Sequence, residues 1–123
     1  MTLQQLYEQI GGSYEQAARV MKVDKLIDRY VCRFEDSTVM ERLRTAGENM
    51  DPEGIFESAH AMKGVCANLG FVHLAQAASE LTEEFRPGIS RCFTDGEVRE
   101  KLRSLEEQYQ KTLEAIRTYK EEK

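Results

Sequence analysis

The chain has 123 residues, of which 41% are hydrophobic and 32% are charged, and its formal net charge is −5. This length suits one modest core, so we predict a single domain over residues 1–123. The absence of a long apolar run argues against a membrane span or a signal peptide. Acidic residues mixed with basic ones along the chain argue against nucleic acid as a partner. We therefore expect a cytoplasmic protein.

The first helices are predicted from turn and capping signals. A short helix over residues 3–10 ends at a Gly11-Gly12 pair, and Ser13 with Gln16 has the spacing of a capping box. Asp24 is a candidate cap for the next helix, and a wide apolar stripe predicts that this helix is buried on more than one side. The stripe consists of Leu26, Ile27, Tyr30, Val31 and Phe34. A further helix is predicted to begin at Ser37.

The second half of the chain contains the longest predicted helices. A capping Asp51 followed by Pro52 predicts a helix start, and Gly70 predicts its end after Leu69. A helix over residues 72–85 follows, and Thr94 with Glu97 forms a capping box for a last helix to about residue 119. No segment shows the alternation of a strand. The pattern predicts an all-α, antiparallel four-helix bundle with one or two additional short N-terminal helices and a core bundle over about residues 24–120.

The helix from Asp51 to Leu69 contains the most informative pattern in the sequence. Its apolar stripe, with steps of three and four residues, predicts the face that is turned to the core. The stripe consists of Ile55, Ala59, Met62, Cys66 and Leu69. His60 follows the stripe by one residue and is therefore turned about 100° away from the core. Lys63 and Gly64 fall on the same face as His60.

Gly64 needs an explanation, because glycine inside a helix costs roughly 1 kcal/mol relative to alanine. It lies off the core stripe, so close helix packing does not account for it. A position without a side chain would let another protein approach the imidazole of His60.

The residues His60-x-x-Lys63-Gly64-x-x-x-Asn68-Leu69-Gly70 resemble the signature of the histidine-containing phosphotransfer (HPt) domain of bacterial two-component phosphorelays. The similarity covers roughly residues 13–86, and the last helix only by pattern. It implies that His60 is the phosphorylated nucleophile and that Lys63 stabilises the charge of the phosphoryl group. Phe56, Lys63, Gly64 and Ala67 on the same face are the candidate partner-binding residues.

The resemblance also implies the partners. They are a response-regulator receiver domain, a hybrid sensor histidine kinase, or both. The chain has no ATP-binding motif, so we expect a covalent phosphocarrier rather than an enzyme. We expect no cofactor and no metal site of its own, with magnesium supplied by the receiver domain, and we expect a monomer.

The sequence allows two alternatives to phosphotransfer. A di-iron bundle needs two Glu-x-x-His elements, whereas only Glu57 and His60 form one. A helical protein-interaction bundle without phosphotransfer activity is the stronger alternative.

Members of the HPt family often place a Glu or Gln opposite the histidine, and ungapped counting puts Thr82 at that position. The sequence therefore leaves open which group orients the imidazole.

Overall fold

The computed structural model describes residues 1–122, and 78% of the chain is helical with no strand in the described part. Seven α-helices follow one another in this part of the chain. They are α1 (Leu3–Ile10), α2 (Tyr14–Met21), α3 (Asp24–Cys32), α4 (Val39–Glu48), α5 (Pro52–Asn68), α6 (Val72–Glu84) and α7 (Asp95–Glu121). A single 3₁₀ turn, Phe34–Asp36, connects α3 to α4. The predicted all-α fold is confirmed.

Helices α4 to α7 form a bundle around one hydrophobic core. Helix α5 packs against α4 on one side and α6 on the other, and α7 closes the bundle against α4 and α6. The three N-terminal helices pack on the outside of this bundle: α1 and α3 lie against α7, and α2 lies against α5. Leu3, Leu6 and Tyr7 of α1 are buried in the same core cluster as the bundle residues.

The core stripe predicted for α5 is buried as expected. Each of its five members, Ile55, Ala59, Met62, Cys66 and Leu69, is no more than 4% exposed. Burial raises the pKa of the Cys66 thiol to about 12, so this cysteine packs as a small hydrophobic side chain. The stripe predicted for α3 was too wide, because Tyr30 is 49% exposed.

The helix caps follow the sequence signals only in part. Thr94 and Glu97 form both bonds of the predicted capping box. The Ser13 side chain accepts from the Gln16 backbone, but the Gln16 side chain donates to the Ala67 carbonyl at 2.7 Å and ties α2 to α5. Asp51 occupies the N-cap position without making a side-chain cap bond. Asp24 was also misassigned, because it is the first residue of α3 and the cap is Val23.

The turn between α5 and α6 is fixed by the turn between α1 and α2. Gly70 has a φ of 72°, and its carbonyl accepts a 2.8 Å hydrogen bond from the Ser13 N–H. The Tyr7 hydroxyl donates to the carbonyl of Leu69. A Cβ atom on Gly70 would come within 2.2 Å of the Ser13 carbonyl oxygen. The C-terminal end of α5 is therefore held by backbone contacts that leave no room for a side chain at Gly70.

Candidate functional site

The central residue of the site is His60, which lies in the middle of α5 on a face turned away from the core. Its side chain is exposed, whereas its neighbour Ala59 is fully buried. Phe56 lies one helical turn earlier and is half-buried. The two rings are stacked, with 5.9 Å between their centroids and 15° between their planes. The phenyl ring thus gives the imidazole one fixed neighbour and leaves the rest of its surroundings open to solvent.

A second helix contributes to this surface through Arg86, which follows the C-terminal end of α6. Its guanidinium carbon lies 5.7 Å from the centroid of the Phe56 ring, a distance typical of a cation–π contact. The same guanidinium donates two hydrogen bonds to the Glu83 carboxylate, at 2.7 Å and 3.1 Å. Phe56 therefore contacts both His60 and Arg86.

Charged side chains of both signs lie around His60. Hydrogen bonds from Arg86 lower the pKa of Glu83, and the charges of Arg86 and Lys63, together with His60 in its imidazolium form, lower it further. Glu83 is thus within electrostatic reach of His60. Lys63 is half-buried, and it forms no salt bridge with any residue in the described part of the chain. Its ammonium group remains available to an anion at His60.

Gly64 lies four residues after His60 on the exposed face of α5. A Cβ atom at Gly64 would meet no heavy atom within 4 Å, so the expected open space is present. Packing within the bundle does not require a glycine at this position.

Ala67 lies further along α5, near helix α2, which packs against the C-terminal half of α5. It is half-buried, and its carbonyl is the acceptor of the Gln16 side chain of α2. It therefore marks the border of the open surface around His60, whereas Phe56, Lys63 and Gly64 lie within it.

The structure shows the surroundings of Thr82, the residue that ungapped counting puts opposite His60. Thr82 is fully buried, and its hydroxyl donates to the Ala78 carbonyl at 2.8 Å. The next residue, Glu83, is exposed and interacts electrostatically with His60. Sequence reasoning missed both Glu83 and Arg86. Their spacing of three residues, typical of a helical ion pair, was the one available signal.

The described residues include neither a metal-binding cluster nor a membrane-spanning helix. No group of three or more His, Cys, Asp or Glu side chains between residues 1 and 122 is arranged to hold a metal ion. No helix in that range is long and apolar enough to cross a membrane.

The fold and the site together define a class: a helical bundle that presents one histidine, with a lysine and a glycine beside it, on an open helix face. The family model of the Hpt domain matches residues 33–119, which is more than half of the chain. The chain therefore belongs to the Hpt domain family, whose members are phosphocarriers of two-component phosphorelays rather than enzymes. Comparison with curated proteins and with solved structures gave no match.

Proposed function

We propose that the protein is a phosphorelay intermediate that accepts a phosphoryl group on His60 and exchanges it with the aspartate of response-regulator receiver domains. The observation that carries this proposal is the placement of His60. In a chain of the Hpt family, it is an exposed histidine in the middle of α5, next to an open position at Gly64. His73, the other histidine, lies in the first turn of α6 and lacks this arrangement.

The proposed reaction is a direct transfer between two side chains. A neutral imidazole has one unprotonated ring nitrogen, whose lone pair attacks the phosphorus of the receiver's aspartyl phosphate. An N–P bond forms while the P–O bond to the aspartate breaks, and the aspartate leaves as a carboxylate. The other ring nitrogen keeps its proton or releases it to water. The reverse reaction returns the phosphoryl group to an aspartate.

Lys63 has the charge and the position to assist this transfer. Phosphoryl transfer depends mainly on in-line placement and on stabilisation of negative charge. Lys63 lies one helical turn after His60 and forms no salt bridge among residues 1–122. Its stem is half-buried, so less side-chain entropy would be lost when the ammonium group approaches a phosphoryl group on His60. It would stabilise charge on the phosphoryl oxygens in both directions of transfer.

The partner would dock on the open face of α5. The missing side chain at Gly64 allows another backbone to come close to His60, and Phe56 supplies apolar surface at the centre of the contact. Ala67 would lie at the edge of the interface. The partner is a receiver domain, alone or within a hybrid sensor histidine kinase, and it would bring the magnesium ion that the transfer requires. The protein itself would act as a cytoplasmic monomer without ATP.

The test is transfer in both directions. The full chain is mixed with a receiver domain carrying labelled aspartyl phosphate, and both proteins are followed on a gel over time. We expect the label to move to this chain and to return to fresh unphosphorylated receiver domain, whereas ATP alone gives no label. If no receiver domain of the source organism transfers its label, the chain is a helical interaction bundle without phosphotransfer activity, and the proposal is wrong.

A further inference from the structure

Next to His60, the structure contains an ion pair that phosphorylation would disturb. Glu83 and Arg86 lie three residues apart at the end of α6, and two hydrogen bonds of 3.1 Å and 2.7 Å join them. The Arg86 guanidinium also lies against Phe56, whose ring is stacked on that of His60. The pair is therefore part of the surface that surrounds the proposed phosphorylation site.

A phosphoryl group on His60 would change the electrostatics at this pair. Such a group carries about two negative charges at neutral pH and has three strong acceptor oxygens. Glu83 lies within electrostatic reach of His60, so a dianion there would repel its carboxylate. The same dianion would attract Arg86, because a guanidinium binds phosphate oxygens with the geometry that it uses for a carboxylate.

We propose that Arg86 exchanges partners when His60 is phosphorylated: it leaves the Glu83 carboxylate and binds the phosphoryl oxygens. Glu83 is then a positioning residue, which holds Arg86 beside Phe56 in the unphosphorylated protein and competes with the phosphoryl group for it. This inference rests on the proposed function, since it requires a phosphoryl group on His60.

The ion pair is exposed enough for such an exchange. The side chains of Arg86 and Glu83 retain 41% and 58% of their accessible surface. An exposed ion pair contributes little net free energy, so replacing the carboxylate by a group of higher charge is favourable. The backbone beneath the pair is better anchored, because the buried Glu84 carboxylate accepts hydrogen bonds from the N–H groups of Cys92 and Phe93. We expect the exchange to involve side-chain rotation while this backbone stays in place.

The first test measures the equilibrium between phosphorylated His60 and a phosphorylated receiver domain. Arg86→Gln should shift this equilibrium about fivefold towards the receiver. Glu83→Gln should shift it towards His60, because it removes both the repulsion and the competitor for Arg86. In an Arg86→Gln background, Glu83→Gln removes only the repulsion, so its effect should be smaller. Arg86→Lys should have an equilibrium constant between that of Arg86→Gln and that of the wild type.

The matched control is Arg103→Gln. Arg103 and Glu100 form an ion pair with the same spacing of three residues on α7, and Arg103 borders the groove between α4 and α7 rather than the His60 face. This variant removes the same charge without touching the site, so its equilibrium should match that of the wild type.

A second test avoids the receiver domain, whose own contact with Arg86 would also alter the equilibrium. The full chain is phosphorylated with phosphoramidate, and the Arg86 Nε–H signal is followed by NMR. Phosphorylation should shift this signal in the wild type, and the Arg103 signal should stay in place. An unmoved Arg86 signal in a phosphorylated protein overturns the inference alone. The inference is also overturned if Arg86→Gln leaves the phosphotransfer equilibrium equal to that of Arg103→Gln. It is likewise overturned if Glu83→Gln has the same effect in the wild type and in the Arg86→Gln background. A wild-type protein that neither donor labels overturns the proposed function as well.

Discussion

Replacing Lys63 can distinguish a role in phosphoryl transfer from a role in stabilising the fold. Its ammonium group has no salt-bridge partner among residues 1–122, and its stem is only half-buried. A long side chain in this setting contributes little to stability, whereas a cation next to a phosphoryl group lowers the barrier to transfer.

We therefore expect Lys63→Ala to slow transfer from a phosphorylated receiver domain while changing the free energy of unfolding by no more than about 0.5 kcal/mol. Transfer rates and urea unfolding of the same preparation test this. The control is Lys111→Ala, which removes an exposed lysine of α7 at the groove between α1 and α7. A Lys63→Ala protein that unfolds more easily but transfers at the normal rate would show that Lys63 is structural.

Individual residues of the site could be predicted only when they belong to α5. His60, Lys63 and Gly64 share one helix, so the helical repeat fixes which side of it they occupy. The side chains that reach them from α6 depend on how far α6 is rotated against α5. Counting along the chain puts Thr82 opposite His60, and that rotation buries its side chain. The same rotation brings Arg86 to Phe56, a contact that the sequence does not indicate.

At the scale of the element, two glycines, one within helix α5 and one just after its end, have different structural roles. Gly64 has helical geometry and empty space where a Cβ atom would lie. Gly70 has a positive φ, and a Cβ atom there would overlap with the backbone of Ser13. The first glycine is free to change without disturbing the bundle, and the second is required by the turn.

Substitution by alanine should therefore have opposite effects at these two positions. Gly64→Ala should stabilise the protein by up to roughly 1 kcal/mol, because alanine favours the helix. Gly70→Ala should destabilise it by at least about 2 kcal/mol, because it adds a strained conformation to a backbone clash. Chemical denaturation of both variants measures the difference. A strongly destabilised Gly64→Ala would mean that Gly64 is packed against another part of the chain.

The proposed role of the open position at Gly64 can be tested by adding a long side chain there. Gly64→Gln should fold normally, since its side chain would point into solvent beside His60. It should reduce transfer from a receiver domain sharply and labelling by phosphoramidate much less. Transfer at the wild-type rate would place the docking surface elsewhere.

The bounds of the long helices were predictable because they depend on local signals. Pro52, Gly70 and the Thr94 capping box each act within one helical turn, and α5 and α7 begin where these residues indicate. Asp51 shows the limit of such signals. It occupies the cap position, but its side chain makes no cap bond there, and an Oδ atom lies 2.5 Å from the place of a Gly54 Cβ atom.

At the scale of the whole molecule, the N-terminal helices are joined to the bundle by buried contacts. The Hpt family match begins at residue 33 and so leaves α1, α2 and α3 outside it. Leu6 of α1 is nevertheless fully buried, and Tyr7 donates a hydrogen bond to the end of α5. The sequence predicted these short helices but not their contact with the Gly70 turn, because that contact joins residues far apart in the chain.

Truncation of Leu6 to alanine should therefore destabilise the entire fold. Deleting a buried leucine side chain typically costs about 2–5 kcal/mol. Urea unfolding followed by circular dichroism should show one transition at a lower midpoint. Val20→Ala, at a position that is 51% exposed, is the control and should have little effect. A normal midpoint for Leu6→Ala would show that α1 is an appendage to the bundle.

The central claim is that His60 carries the phosphoryl group, and mapping the label tests it most directly. The full chain is phosphorylated by a receiver domain, and the modified residue is identified by mass spectrometry under conditions that preserve phosphohistidine. The account predicts one acid-labile phosphoryl group on His60, which is lost in His60→Gln and kept in His73→Gln. A label that persists in His60→Gln, or that maps to His73, would contradict it.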